Sequence, residues 1–216
     1  MPDPTHGGSL LIVVAPSGAG KTSLVRHLLS VRNHLRLSVS YTTRAPRPGE
    51  RDGVDYLFVT EHEFTTRLER GEYLEWAKVH GHRYATSREW ILQRMAEGTD
   101  IVLEIDWQGA AQVRARFPDA VSVFIAPPSM AVLRERLTAR GQDAPEVIER
   151  RLVAARNELA HACECQYVII NQDFGDACQQ LVGIADAARC RFGPQHRRHA
   201  ALFAALGMAS PSAPPA

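Results

Sequence analysis

Short, mostly apolar runs recur along this chain and are separated by segments whose apolar positions follow a helical period. Apolar runs of this length, bounded by turn signals, are typical of strands buried on both faces of a sheet. Such runs occur at residues 10–15, 101–105, 121–126 and 167–170. The helical segments that follow them cover residues 22–29, 110–117, 130–140 and 174–192. This alternation predicts an α/β fold built on a parallel sheet with flanking helices.

Residues 37–85 interrupt the alternation, since they are rich in strand patterns and short of crossover helices. Strands are predicted here at residues 35–41, 56–59, 73–79 and 83–85. Two capping boxes predict helix starts, Thr60-x-x-Glu63 before a helix ending near Gly71 and Thr86-x-x-Glu89 before one ending near Glu97. The region therefore looks like an insertion into the α/β framework.

Two arginine-bearing helical segments flank a break at residues 141–149, where Gly141 and Pro145 interrupt the period. The arginines are Arg134, Arg136 and Arg140 before the break, and Arg150, Arg151 and Arg156 after it. Two such helices around a hinge-like break are typical of a lid. An exposed helical charge face explains most of these arginines equally well. Further along, residues from 194 predict one more helix, and the final SPSAPPA predicts disorder.

The totals favour one domain without a nucleic-acid or membrane partner. A chain of 216 residues can bury a sizeable core, and a net charge of +1 creates no global field for polyanions. The first residues lack the pattern of a signal peptide, and no apolar run approaches the roughly 20 residues of a membrane span. Cys163-Glu164-Cys165 has no second pair or histidine cluster to complete a metal site, so we expect reduced thiols and a cytoplasmic location.

The strongest chemical motif is LLIVVAPSGAGKTSL at residues 10–24, in which a buried strand passes through a tight loop into a helix. It nearly meets G-x-x-x-x-G-K-[ST], with Ala15 at the first glycine position. Backbone N–H groups of such a loop surround a phosphate, Lys21 reaches the β- and γ-phosphates, and the Thr22 hydroxyl holds Mg²⁺. Asp106, which directly follows a buried strand, fits a second Mg²⁺ contact better than an incidental surface acid. The motif predicts a nucleotide phosphate site without specifying a reaction.

A second candidate anion site is the loop at residues 42–55, where prolines and glycines exclude regular structure. Arg44, Arg47 and Arg51 lie on this loop. A solvated basic turn is one interpretation. The prolines favour the other, because they stiffen the loop and lower the entropy lost when two guanidinium groups hold one anion.

With these motifs in this order, the chain resembles the bacterial guanylate kinases over about residues 9–207. The segments that carry the resemblance are APSGAGKTSL, SVSYTTRAPRPGE, GVDYLFV, EYLEWAKVHGHRYATS, EIDWQGA, FIAPPS, RLTARGQD and VIINQD. The resemblance implies a P-loop α/β fold with a strand-rich GMP-binding insertion and a helical lid. It also implies phosphoryl transfer from ATP to GMP or dGMP with Mg²⁺, in purine nucleotide metabolism and GMP recycling.

The resemblance further implies the residues of the site. The implied ATP site consists of Ala15, Pro16, Ser17, Gly18, Ala19, Gly20, Lys21, Thr22, Ser23 and Asn171. The implied GMP site consists of Ser40, Arg44, Arg47, Tyr56, Glu75, Tyr84, Thr86, Glu104 and Asp106. The groups implied to stabilise the transferring phosphoryl are Lys21, Arg44, Arg136, Arg140 and Arg151, with Thr22 and Asp106 as metal contacts. A carboxylate only accepts hydrogen bonds, so Glu75 matches the adjacent N1–H and N2–H of guanine, which adenine lacks.

Three positions depart from the family pattern. Ala15 replaces the first loop glycine, Glu104 stands where Asp is usual, and Ala85 replaces a glycine after Tyr84. The Glu104 side chain is one methylene longer than that of Asp, so the family's contact at this position, with guanine or with water, does not carry over directly. Ala85 is harmless unless its φ is positive.

Two other interpretations are a related kinase with a different acceptor and a protein-binding module of the same fold. Glu75 with Ser40 and Thr86 favours guanine over another acceptor base. Binding modules of this kind have typically lost the phosphate loop, whereas Lys21 and Thr22 are present here. ATP and GMP are therefore the expected partners, and the oligomeric state, including a homo-oligomer, stays open.

We expect a single domain over residues 1–216. The resemblance divides it into a core at residues 9–36, 99–130 and 160–207, a GMP-binding region at 37–98, a lid at 131–159 and a disordered tail at 208–216.

Overall fold

The computed structural model of the chain describes residues 7–79, 81–139 and 144–208. The strands are β1 (Leu10–Val14), β2 (Leu35–Leu37), β3 (Tyr41–Thr42), β4 (Leu57–Phe58), β5 (Tyr73–Val79), β6 (His82–Ser87), β7 (Asp100–Glu104), β8 (Val121–Ala126) and β9 (Tyr167–Ile170). The helices are α1 (Lys21–Val31), α2 (Glu61–Glu69), α3 (Arg88–Ala96), α4 (Trp107–Arg116), α5 (Met130–Ala139), α6 (Pro145–Ala160), α7 (Phe174–Arg189), α8 (Phe192–Arg198) and α9 (Ala200–Ala205). They form the α/β fold that the apolar pattern predicts.

Within the described residues, the main sheet has five parallel strands in the order β2-β7-β1-β8-β9. The central strand β1 pairs with β7 and β8, and all five of its residues are buried. One apolar cluster packs α1 and α7 on one face, and a second packs α3 and α4 on the other. Because both faces are covered, these strands need apolar side chains in both directions. Their carboxyl ends meet at one edge, where the loop after β1 begins.

A second sheet holds the inserted region, with the order β4-β3-β6-β5 within the described residues. Strands β5 and β6, which correspond to the strands predicted at residues 73–79 and 83–85, form an antiparallel hairpin, and β6 also pairs antiparallel with β3. His80, at the turn of this hairpin, lies outside the described residues. Strand β5 also packs on α4, which carries this sheet against the main one. The hairpin thereby faces the carboxyl edge of the main sheet.

The strand predicted at residues 35–41 is wrong as a single element. The chain leaves the main sheet after β2, where the Ser38 backbone N–H donates to Val102 O at 3.0 Å, and enters the second sheet at β3. The alternation of apolar and polar residues continues across this bend, because β2 and β3 each turn one face toward the interior of the protein. Periodicity therefore could not locate the change of sheet.

The capping boxes have different outcomes. Thr60 and Glu63 form the predicted box at the start of α2. The box at Thr86 is wrong, because Ser87 caps α3 by accepting from the Trp90 N–H, while Thr86 is the buried penultimate residue of β6. Tertiary burial overrides the local signal here.

Several helix boundaries also differ from the sequence prediction. Helix α4 begins at Trp107, earlier than predicted, because the Asp106 side chain caps it through the Gly109 N–H. Helix α6 begins at Pro145, which takes the first helical position that suits proline. Beyond α7, two short helices replace the single one predicted, and the disorder predicted for the final SPSAPPA concerns positions outside the described ones. Among the described residues, no helix has both the length and the apolar character that a membrane crossing requires.

A charge cluster ties the end of the chain to the start of β7. Asp100 is 3 % exposed and accepts hydrogen bonds from Ser9, Arg189 and Arg198. The Arg198 side chain is itself 9 % exposed. The Asp100 carboxylate thus balances the positive charge of two guanidinium groups, one from α7 and one from α8.

We expect Asp100→Asn to lower the free energy of unfolding by about 3 kcal/mol, because it leaves the buried Arg198 and the partly exposed Arg189 without a counter-charge. Asp186→Asn is the matched control, since the Asp186–Arg32 pair is 43 % and 33 % exposed and is worth at most about 1 kcal/mol. Urea titration of both variants measures the difference. Equal losses would contradict the role of the cluster.

Candidate active site

The carboxyl ends of β1 and β7 open into a cavity of about 620 Å³ between the main sheet, the second sheet and α6. The predicted site residues that line it are Ala15, Pro16, Ser17, Gly18, Gly20, Lys21, Thr22, Ser23, Ser40, Arg44, Arg47, Tyr56, Glu75, Tyr84, Glu104, Asp106 and Arg151. Other predicted residues do not line it, namely Ala19, Thr86, Arg136 and Asn171. Arg140 lies outside the described residues. Residues far apart in sequence thus surround one space.

The loop after β1 has the conformation that a phosphate loop requires. Gly18 and Gly20 have φ values of 93° and 99°, in the left-handed region that side chains rarely adopt. Gly20 also lies so close to Asn171 that an added Cβ would be 2.4 Å from its Nδ2. The loop ends at α1, whose first N–H groups and helix dipole attract an anion.

Asn171 and Arg136 hold this loop from behind. The buried Asn171 side chain donates to Ala19 O at 2.7 Å, and Arg136 donates to Asn171 O at 2.9 Å. In this structure neither side chain faces the cavity. Both therefore stabilise the loop backbone, and α5 and the end of β9 contact the loop through them.

Oxygen groups suited to a magnesium ion lie at the start of α1 and the end of β7. The Thr22 hydroxyl donates to the Glu104 carboxylate, and Lys21 Nζ donates to Ile105 O at 3.1 Å. Asp106 is engaged as the cap of α4, and it accepts from the Gly109 N–H at 2.9 Å. Mg²⁺ prefers one or two protein oxygens together with water and phosphate oxygens, which this donor set fits. The described residues contain no larger group of His, Cys, Asp or Glu that would hold a metal by itself.

At the other end of the cavity, Glu75 of β5 faces its strand partner Thr86 of β6. The Thr86 hydroxyl donates to Glu75 Oε1 at 2.6 Å, and Glu75 is 3 % exposed. Burial raises the pKa of Glu75 to about 7, although the hydrogen bond from Thr86 lowers it. A buried acceptor whose second oxygen is available to a ligand recognises paired N–H donors. Ala85, between Tyr84 and Thr86, is in regular strand pairing, so its backbone is extended and needs no glycine.

The arginine loop is ordered by an acid that the sequence analysis did not single out. Glu50 accepts two hydrogen bonds from Arg44 Nη2, at 2.8 and 2.9 Å, and one from the Arg47 backbone N–H at 2.8 Å. The Arg44 guanidinium also lies 5.2 Å from the centre of the Tyr56 ring. Tyr56 in turn contacts Tyr84 edge to face. Arg44 is thus held at the cavity wall before any anion binds.

Helix α6 closes the donor side with two charged residues of opposite sign. Arg151 donates to the Ser17 hydroxyl, and Glu158 lies beside the Ser17 backbone N–H. Burial raises the pKa of Glu158 to about 7, against the lowering effect of nearby Lys21. The sequence analysis missed Glu158 and Trp107, and it named Arg150 as a lid arginine without assigning it to the site, although all three line the cavity. The sequence did hold one signal for Glu158. It lies seven residues after Arg151, and residues seven apart lie on the same face of a helix.

The raised pKa of Glu158 makes its contribution to stability depend on pH. The pKa is about 7 in the folded protein and about 4.3 in an unfolded chain, so between these values the folded state binds the additional proton. This contribution is therefore present at low pH and is lost as the pH rises toward 7. The Gln side chain does not titrate, so Glu158→Gln lacks this loss. We therefore expect the free energy of unfolding of Glu158→Gln minus that of wild type to be about 2 kcal/mol larger at about pH 8 than at about pH 5. Urea titrations of both proteins at both pH values measure this change. A difference between variant and wild type that is the same at both pH values would contradict the prediction.

Comparisons with known proteins agree with this architecture. The family model described as guanylate kinase matches residues 7–188. A guanylate kinase from Cupriavidus metallidurans is 56 % identical over 206 residues, which are 95 % of this chain and 95 % of the relative. One from Ralstonia nicotianae is 57 % identical over 201 residues, covering 93 % of this chain and 91 % of the relative. The crystal structure of guanylate kinase from Anaplasma phagocytophilum superimposes with a TM-score of 0.75 at 31 % identity, covering 94 % and 97 % of the two chains. By sequence and by fold, this chain belongs to the guanylate kinase family.

Proposed function

We propose that this chain transfers the terminal phosphoryl group of ATP to GMP and yields ADP and GDP. One observation carries the proposal: a single cavity has the phosphate loop at one end and a buried carboxylate with an arginine loop at the other. A nucleoside triphosphate and a nucleoside monophosphate can bind there with their phosphates facing each other. The membership in the guanylate kinase family supports this pair of substrates.

On the donor side, the backbone N–H groups of the loop bind the ATP phosphates. Lys21 and Arg151 lie at the same end of the cavity and neutralise charge on the transferring group. Asn171 and Arg136 act through the loop backbone, since Asn171 donates to Ala19 O at 2.7 Å and Arg136 donates to the same oxygen at 3.5 Å. The role that the family resemblance gives Asn171, beside the adenine, would require it to leave its bond with Ala19 O.

On the acceptor side, Glu75 accepts from guanine N1–H and N2–H, and Thr86 orients its carboxylate. Ser40 lies in the same part of the wall. The GMP phosphate binds to the arginine loop through the side chains Arg44, Arg47, Tyr56 and Tyr84. Bidentate guanidinium contacts and phenol donors suit a phosphate. The bond between Arg44 and Glu50 preorders one of these groups, which lowers the entropy lost on binding.

Phosphoryl transfer needs positioning and charge more than covalent help, so no general base is assigned. Lys21 lies at the donor end of the cavity, where its ammonium group can neutralise charge on the equatorial oxygens of the transferring phosphoryl group. Thr22, Glu104 and Asp106 would hold Mg²⁺, which would neutralise negative charge on the ATP phosphates. The longer side chain of Glu104 is compatible with this assignment, because it already reaches the Thr22 hydroxyl.

We assign the GMP-binding region to residues 37–98 and the lid to residues 131–159, within one domain. The contacts of Arg151 and Glu158 with Ser17 support a lid that closes on the donor end. Activity on dGMP and a cytoplasmic location belong to the same proposal. The bacterial relatives support the location, and so do the four cysteines, which are all free thiols.

A coupled assay of ADP formation tests the proposal. Purified protein is given ATP and Mg²⁺ with GMP, dGMP, AMP, UMP or CMP as the acceptor. We expect turnover with the two guanine nucleotides and a kcat/KM at least about 10³-fold lower with the others, because they leave Glu75 facing an unsuitable base edge. No reaction with GMP would refute the proposal, and equal rates with AMP would refute the assignment of Glu75.

A further inference from the structure

Gly109 lies so close to the carboxylate of Glu75 that any side chain at its position would overlap the carboxylate as it is now oriented. Gly109 is buried in the first turn of α4. A Cβ added to it would lie 2.3 Å from Glu75 Oε2 and 3.0 Å from Glu75 Cδ. Such distances are far below van der Waals contact, so one of the two groups would have to move.

The backbone does not explain a glycine at this position. Gly109 has a helical conformation, in which alanine is favoured by about 1 kcal/mol. By contrast, Gly18 and Gly20 are required by their positive φ values. The requirement at Gly109 comes from the neighbouring side chain.

The Glu75 carboxylate has little freedom to move away. It is 3 % exposed, and its other oxygen accepts from the Thr86 hydroxyl at 2.6 Å. The register of β5 also shifts between Tyr73 and Glu75, and such an irregularity redirects a side chain. A methyl group at position 109 would therefore rotate or displace the carboxylate from its present orientation.

We infer that Gly109 is a specificity-determining position, whose missing side chain leaves the space that the Glu75 carboxylate needs to face the acceptor base. It is a positioning residue, because it acts through Glu75 and does not touch the reacting atoms. The inference rests on the proposed function, in which Glu75 accepts from guanine. Hydrogen bonds weaken steeply when their angles change, so a small displacement is enough to reduce base recognition.

Gly109→Ala tests the inference by steady-state kinetics. We expect kcat/KM for GMP to fall at least about tenfold, mainly through KM, and the preference for GMP over AMP to fall with it. The KM for ATP should stay at the wild-type value, as should the thermal midpoint to within about 4 °C. The matched control is Gly183→Ala in α7, where an added Cβ meets nothing within 4 Å, and it should behave like wild type.

A double-mutant cycle separates action through Glu75 from a general effect on α4. In a Glu75→Ala background the carboxylate is gone, so adding Gly109→Ala should cost less than about twofold in kcat/KM for GMP. The inference is overturned if Gly109→Ala alone matches wild type, or if it costs the same factor in both backgrounds. Wild-type protein that fails to phosphorylate GMP would overturn the proposed function itself, and the inference with it. The wild-type reaction thus tells the two failures apart.

Discussion

Lys21→Ala is expected to lower kcat by about 10³-fold while the affinity for GMP changes by less than about twofold. The Lys21 ammonium lines the cavity 3.1 Å from Ile105 O, and in the proposed function it faces the transferring phosphoryl group. Its charge matters most in the transition state, when the transferring group has left one oxygen and has not yet bonded the other. In the proposed function, GMP binds at the opposite end of the cavity, so its affinity does not depend on Lys21.

The chain offers a matched control in its other lysine. Lys78→Ala removes the same side chain from an exposed position on β5 that does not line the cavity, and it should leave turnover unchanged. ADP formation measures kcat, and calorimetric titration with GMP measures the affinity. If Lys21→Ala lost most of its GMP binding, the donor and acceptor ends would have been assigned the wrong way round.

Glu75→Gln is expected to lower kcat/KM for GMP by about 10³-fold and to bring it close to the value for AMP. The substitution keeps the shape and the bond from Thr86. It replaces a charged double acceptor by an amide, and the amide N–H₂ cannot accept from guanine. The KM for ATP should not change, because Glu75 is remote from the phosphate loop.

The control for this variant is Glu89→Gln, which removes a carboxylate from the exposed start of α3. It should reproduce wild-type kinetics with both acceptors. Initial rates over a range of GMP and AMP concentrations give the two ratios. A GMP preference that survives Glu75→Gln would remove this residue from base recognition.

Local chemistry predicted the elements whose surroundings are the simplest. β8 and β9 begin and end where their apolar runs do, and β1 ends one residue early. Thr60 and Glu63 form the predicted capping box because all the partners lie within four residues. The same rule failed at Thr86, where a partner eleven residues away in sequence, Glu75, binds the hydroxyl.

The phosphate loop could likewise be predicted from the sequence, since strand, glycines, lysine and threonine follow each other directly. The roles of Asn171 and Arg136 could not. The sequence shows that they exist, but only the fold shows that their side chains meet the loop backbone and not the cavity. Glu50 and Glu158 were missed for the related reason that an acid near an arginine is common and rarely part of a site.

The sequence by itself determined the α/β alternation, the phosphate loop and, through resemblance, the family. These depend on interactions between neighbours along the chain, which a motif records. Tertiary structure alone decided which distant groups share a surface: Glu75 against Gly109, and Glu158 beside Ser17. Such pairs join segments more than thirty residues apart, so their distances follow from how the sheets and helices pack and not from any local pattern.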